Sequence, residues 1–454
     1  MKRNWRLLAS ALVMCVVVAA CEKNDRDLTS EMDTIKKANN GMIKSYGNEM
    51  VLKWNRALSA AIDQKMPVAP EARIYAMVSL AVHDALNNVV PEHGTYLLDN
   101  SGVEYKDISK KNIQSLADAA VAQSAHDMLA ALVPAAAANA GVLLAESLAA
   151  IEDSELKDRG IAAGKAAAQA VLADRQGDPA LGFAAYPQGT APGEYRSTMP
   201  YAVANPPIWP NNAVYAPGMG TFRPFAMTSS DQFRAEPPYS LVSPEYAADY
   251  DEVKRLGSST STERTPEQAE LALFYLDNMG SSANRIARFM AEQEELDGWE
   301  TAKLLALLNM AQFDACLSSF EGAYYYNRWR PITAIRMGET DGNDATAGDP
   351  AWATLPSARA VPPIPTYPAA YTQMAGATAE ILRLFFKEDE KSFTIGSYSL
   401  AGAEKSYTTF SAYAEDVSMS RIYAGFQFRH DVEAGERMGR ELARYIFETK
   451  FRDL

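Results

Sequence analysis

The chain has 454 residues, 48% of them hydrophobic and 22% charged, with a net charge of −14 at pH 7. That length supports one large core or two domains, and the composition is that of an ordinary globular body. So acidic a balance argues against nucleic acid or an anionic lipid surface as a partner.

Residues 1–20 stand apart from this body. Lys2, Arg3 and Arg6 form a positive leader, the apolar run "LLASALVMCVVVAA" follows, and Val18, Ala19 and Ala20 precede Cys21. The run is short for a stable membrane span, which needs about 20 apolar residues. It reads as a signal peptide ending in a lipoprotein cleavage box, with lipid on Cys21. An ordinary secretory signal with an incidental cysteine is the alternative. The expected location is a bacterial cell envelope, with the membrane as a partner through that lipid. Residues 21–45 are polar and read as a tether.

Residues 46–454 read as one helical domain. From 46 to 175 the pattern is helical. In "ARIYAMVSLAVHDALNN", Ile74, Met77, Val78, Ala81, Val82, Ala85 and Leu86 recur at i, i+3, i+4 and i+7, one face of a helix. Further helices are expected near 112–133, 135–153 and 155–174. Residues 176–243 are rich in Pro, Gly, Tyr and Trp and show no period, which predicts a long loop packed onto the surface. Residues 244–454 form the half that carries the site motifs, and helices return at Thr265. Thr265, Pro266 and Gln268 spell an N-cap, a first-turn proline and a capping-box partner. More helices are expected at 280–293, 298–320, 370–387, 400–415 and 431–449. The fold class is all-α. If Cys21 carries lipid, Cys316 is the one free thiol left, and its apolar setting predicts buried filler.

Two arginine-bearing stretches stand out as chemistry: "YYYNRWRPITAIR", residues 324–336, and "SRIYAGFQFRHD", residues 420–431. Guanidinium groups recognise oxyanions through several planar donors. Between them lies "PPIPTYPAAYTQM", residues 362–374. These stretches, together with "ARIYAMVSLAVHDALNNV", "RPFAMTSSDQFR" and "DEVKRLGSSTSTERTPEQ", keep an order and spacing over about residues 70–450. In that order and spacing the chain resembles the vanadium-dependent haloperoxidases, within the superfamily that includes type 2 phosphatidic acid phosphatases.

The resemblance implies a large helical bundle and a cradle for vanadate or phosphate. In that cradle a lysine lies seven residues before an Arg-Pro pair, a Pro-Ser-Gly-His follows, and a Ser-Arg precedes a second histidine by five residues. Carried over, Arg330 and Arg421 match the two arginines. Ala323 stands at the lysine position; Ala369, Ala370 and Tyr371 stand at the serine, glycine and histidine positions; Gln427 stands at the second histidine. The resemblance therefore implies an anion-binding remnant of Arg330 and Arg421 without intact catalytic residues. No vanadate, other cofactor or metal is expected.

His430, three residues after Gln427, is the candidate for a relocated histidine if a helix continues through both. His83 and His126 read as structural, and His93 sits in a turn, "PEHGTY". Tyr324, Tyr325, Tyr326, Tyr367 and Tyr371 are expected to make the emptied pocket more aromatic, suiting a neutral or sugar-like ligand or a filled core. The expected function is a catalytically degenerate envelope module that binds a small ligand or a protein partner. The alternative is an enzyme with residual phosphatase or haloperoxidase-like activity, or new chemistry in the same pocket.

Replacing Cys21 by Ser is expected to shift the protein from the membrane fraction to the soluble fraction of cells. A wild-type chain already soluble on secretion makes the cysteine incidental.

Overall fold

The computed structural model describes residues 41–198, 212–356 and 361–454. The signal-like segment and Cys21 lie outside them. The fold is all-α, assembled around one long helix.

That helix, α9 (Gly298–Tyr326), follows α1 (Glu49–Ile62), α2 (Val68–Asn87), α3 (Ile113–Leu132), α4 (Ala137–Ala149), α5 (Glu155–Asp174), α6 (Pro244–Leu256), α7 (Pro266–Phe274) and α8 (Met279–Gln293). After it come α10 (Pro331–Arg336), α11 (Ala370–Phe386), α12 (Phe410–Tyr423) and α13 (Arg429–Thr449). α9 starts on a capping box: Asp297 accepts from the Glu300 amide at 2.9 Å and Glu300 from the Asp297 amide at 3.1 Å. It is apolar on nearly every side and buried from Gly298 to Ala323 apart from Glu300, Lys303 and Glu321, as a central helix must be. Its buried polar side chains find partners in neighbouring elements. Asn309 donates to Ser79 Oγ and Asn284 Oδ1, and Gln312 to Met374 O and Thr378 Oγ1.

The Thr265 and Gln268 box caps α7 as the sequence predicts, with bonds of 3.2 and 3.0 Å. Thr265 is followed by Pro266 at the first helical position. The described residues of 176–243 are mostly loop with one small antiparallel pair, β1 (Phe183–Ala185) and β2 (Ala213–Tyr215). Their clasp is Asp314 on α9, a buried carboxylate that accepts from the amides of Phe225, Ala226 and Met227 at 2.7, 2.8 and 2.9 Å. Arg175, at the end of α5, stacks 3.8 Å over the Phe225 ring.

The expected helix over 400–415 is corrected. The chain there forms a hairpin, β3 (Phe393–Gly396) with β4 (Glu404–Tyr407), and α12 starts only at Phe410, where Thr409 caps it. The reason is the period-two burial of Phe393 and Ile395. The expected 135–153 helix is shorter, because Pro134–Ala136 forms a 3₁₀ turn first. α6 and α10 were not expected. No helix among the described residues is long and apolar enough to cross a membrane.

α11 and α13 share the most extensive helix pairing. Small residues make the approach close: a Cβ on Gly439 falls 2.0 Å from Gln373 O, and one on Gly435 falls 2.4 Å from Ala369 O. Gly439→Ala is therefore expected to destabilise the fold by about 1–3 kcal/mol. In contrast, a Cβ on Gly141 in α4 meets nothing within 4 Å. Gly141→Ala is expected to stabilise by about 0.5–1 kcal/mol. Urea melts of the two variants check both signs.

Candidate functional site

Arg330 is the N-cap of α10, held in extended backbone by the proline that follows it. Arg421 lies in the last turn of α12. Tyr371 opens α11, just after the 361–369 lead-in. The turn carrying Gln427 needs Gly425, whose φ is +78° and whose Cβ would fall 2.7 Å from Gly257 O. These elements bring Arg330, Tyr371, Arg421 and Gln427 to one cavity of about 170 Å3. Asn278, Tyr215 and Phe320 also line it, with Pro67, Val68, Pro362, Pro363, Ile364 and Ala370.

Both arginines are buried, and neither has an ion pair to a carboxylate among the described residues. Arg330 donates from Nε to Ile364 O at 2.8 Å, from Nη1 to Phe426 O at 3.2 Å and from Nη2 to Pro365 O at 3.3 Å. Arg421 donates from Nε to Gln427 Oε1 at 3.3 Å and from Nη1 to Tyr275 O at 3.1 Å. Its guanidinium sits between the rings of Tyr371, at 4.6 Å, and Phe426, at 4.8 Å. Burial pulls both guanidinium pKa values down to about 10; for Arg330, Tyr195 and Asp431 oppose the shift and Arg421 adds to it. Both stay protonated at neutral pH. Asp431 is itself engaged by Thr366 Oγ1 at 2.6 Å and the Phe428 amide at 2.9 Å.

Because Gln427 Oε1 accepts from Arg421, its Nε2 group remains as a donor. Tyr371 donates to Asn278 Oδ1 at 3.3 Å. Asn278, the N-cap of α8, donates from Nδ2 to Glu71 Oε2 at 2.8 Å and to Met66 O at 3.0 Å. Glu71 is fully buried and also accepts from the amides of Gln64 and Ser281. Burial raises its pKa to about 7, with Asp63 adding to the shift and the Asn278, Gln64 and Ser281 hydrogen bonds opposing it. Burial pushes the Tyr371 phenol up to about 12, so it stays protonated.

Other expected residues fall elsewhere. Ala323 and Ala369 are buried in the packing, and of the three alanines only Ala370 lines the cavity. His430 does not line it. The helix that would align His430 with Gln427 is not there, because α13 starts at Arg429 and Gln427 precedes it. His430 instead stacks between Tyr239 at 3.9 Å and Tyr367 at 5.2 Å. Of the five tyrosines, Tyr371 alone lines the cavity; Tyr324, Tyr326 and Tyr367 donate to main-chain carbonyls, and Tyr325 is exposed. His83 faces Gly94 O, His93 faces Asp453 and His126 faces Asp127. Burial pushes the Cys316 thiol pKa up, leaving it unreactive.

Asn278 and Glu71 went unseen in the sequence. The one local signal was that Asn278 stands immediately before a helix, an N-cap position.

A family model described as the VCPO second helical-bundle domain matches residues 303–452. The vanadium chloroperoxidase of Curvularia inaequalis is 25% identical over 411 residues, 76% of this chain. The match spans 66% of that protein, just under two thirds of its length. Among solved structures, a bacterial vanadium-dependent iodoperoxidase superposes with a TM-score of 0.69 at 21% identity, covering 89% of this chain and 97% of that one. A holo-type bacterial vanadium-dependent chloroperoxidase gives 0.64 at 17%, covering 84% and 91%. At those identities the structural likeness is one of fold. In sequence over residues 303–452 and in overall fold, the chain is similar to the vanadium-dependent haloperoxidases.

Glu71 gives the site a pH signature. Its carboxyl ionises near 4.5 when unfolded and about 7 when folded. Between those values the folded state binds the extra proton, so this group's contribution to stability falls as pH rises from 4.5 to 7. The difference in unfolding free energy between wild type and Glu71→Gln is expected to fall by up to about 3 kcal/mol across that window. Denaturant titrations at pH 4.5 and 7.5 check it.

Proposed function

We propose that the cavity binds a small oxyanion reversibly and that the protein is a ligand-binding, non-catalytic member of its superfamily. The observation that carries this reading is the pair of buried guanidinium groups, neither in a direct ion pair with a carboxylate. Asp431 acts on Arg330 only at longer range; buried charge without a contacting counter-ion is costly, and an anion held by both arginines offsets that cost. About 170 Å3 holds roughly five waters. That suits a phosphate-sized ion and is well below the roughly 300 Å3 where drug-sized pockets begin, which disfavours a sugar. Because both guanidiniums point inward, a small ligand is favoured over a protein partner.

Vanadate does not fit as a covalently held group. No imidazole lines the cavity among the described residues, and the Gln427 amide is no substitute for one. The enzymatic alternative lacks a nucleophile and a base. The described lining residues include no Ser, Cys, His, Lys, Asp or Glu, and Tyr371 holds its proton to about pH 12. We place this module in a bacterial cell envelope, tethered by lipid on Cys21. That placement rests on the sequence of residues 1–21 alone.

Inorganic phosphate at a hundred times its Kd is expected to stabilise the wild type by about 2.7 kcal/mol. It is expected to leave Arg421→Met unshifted in the same thermal melts. No turnover is expected with vanadate, peroxide and bromide, or with a chromogenic phosphate ester. Turnover by the unmodified protein overturns the non-catalytic reading, and an unshifted wild type overturns the anion reading.

A further inference from the structure

The hydrogen bonds around Tyr371 fix which kind of oxyanion the cavity accepts. Both Nδ2 protons of Asn278 are committed to acceptors, Glu71 Oε2 at 2.8 Å and Met66 O at 3.0 Å. The amide therefore cannot turn, and Oδ1 is the atom that faces Tyr371. Tyr371 carries the only proton available between the two oxygens, and it donates that proton to Asn278 Oδ1. Its phenolic oxygen then has lone pairs, and no proton, left for a ligand. Donors line the same cavity: the two guanidiniums, that of Arg421 lying 4.6 Å over the Tyr371 ring itself, and the Gln427 Nε2 group. The lining is mixed, cationic donors together with one fixed acceptor.

We propose that Tyr371 is a specificity-determining residue that makes the cavity select oxyanions carrying their own hydroxyl, such as hydrogenphosphate, over aprotic ones of the same shape, such as sulfate. Asn278 and Glu71 are positioning residues that hold the Tyr371 proton away from the ligand. This rests on the anion-binding reading above. In a space of about five waters, an anion touching both guanidiniums cannot stand clear of Tyr371. A hydroxyl on the anion donates to the phenolic oxygen. Sulfate brings only lone pairs, so it either opposes them to those of Tyr371 or draws the phenol proton away and strands Asn278 Oδ1. Charge works the other way: sulfate is a full dianion at pH 7, while phosphate is a mixture of mono- and dianion. A preference for phosphate therefore cannot come from the arginines.

The experiment is calorimetric titration of the full chain with inorganic phosphate and with sulfate at pH 7 and constant ionic strength. An unmet hydrogen bond of this kind costs about 1–3 kcal/mol, so phosphate is expected to bind roughly ten- to a hundredfold more tightly. Tyr371→Phe keeps the ring beneath Arg421 and removes the acceptor; its phosphate-to-sulfate ratio is expected to fall to near one. Asn278→Ala frees the phenol proton to turn toward the ligand. Its ratio is expected to fall through gained sulfate affinity, which a purely structural role for Asn278 would not produce. Sulfate binding as tightly as phosphate in the wild type, or a ratio that survives Tyr371→Phe, overturns the inference and leaves the anion site standing. Binding of neither anion overturns both.

Discussion

Arg330 is the constraint on which the site and its surroundings depend. Its guanidinium is fully buried and reaches three main-chain carbonyls, those of Ile364, Pro365 and Phe426. One side chain thereby joins the start of α10, the lead-in to α11 and the turn between α12 and α13. Only a planar cation with several fixed donors satisfies three carbonyls in three directions; a lysine, with one compact ammonium, does not. The arginine is thus a clasp between three segments, and its removal would strand three buried carbonyls.

Arg421 is held differently. It bonds to one carbonyl and one side-chain amide and lies between two aromatic rings. More of its donors remain uncommitted than those of Arg330. Ala323 and Ala369 are packed as ordinary core. On the proposed reading, the lining keeps groups that attract an anion and lacks groups that act on one. The net charge of −14 does not undo this, since surface charge is screened over about 10 Å at 0.1 M salt.

Legibility of the fold followed the range of the forces involved. The α7 capping box was readable because Thr265, Pro266 and Gln268 are local to one turn. The helical stripe from Ile74 to Leu86 was readable because its period is a property of one segment. The β3–β4 hairpin was not, because its four-residue strands are too short to establish a period of two against nearby helical patterns. In the site, Arg330, Tyr371, Arg421 and Gln427 came from motif order, which fixes positions along the chain. Glu71 and Asn278 are 207 residues apart, and nothing local announces that they meet. His430 misled because a same-face argument presumes a continuous helix, and the chain breaks before Arg429.

The network from Tyr371 through Asn278 to Glu71 also explains why the cavity persists as a cavity. A cavity with a largely apolar lining tends to collapse, since voids cost contact energy. Here its walls are held from behind. Asn278 stands at the N-cap of α8 and bonds to Glu71 on α2, so the far wall is pinned by buried polar contacts. Arg330 pins the near wall through backbone carbonyls. Collapse would bring the two guanidiniums together in a low-dielectric space, where like charges repel strongly. Repulsion between the cations and the rigidity of the opposite wall keep the space open. On the proposed reading, an anion is the species that lowers the energy of this arrangement most, and its occupancy and the protein's stability are coupled.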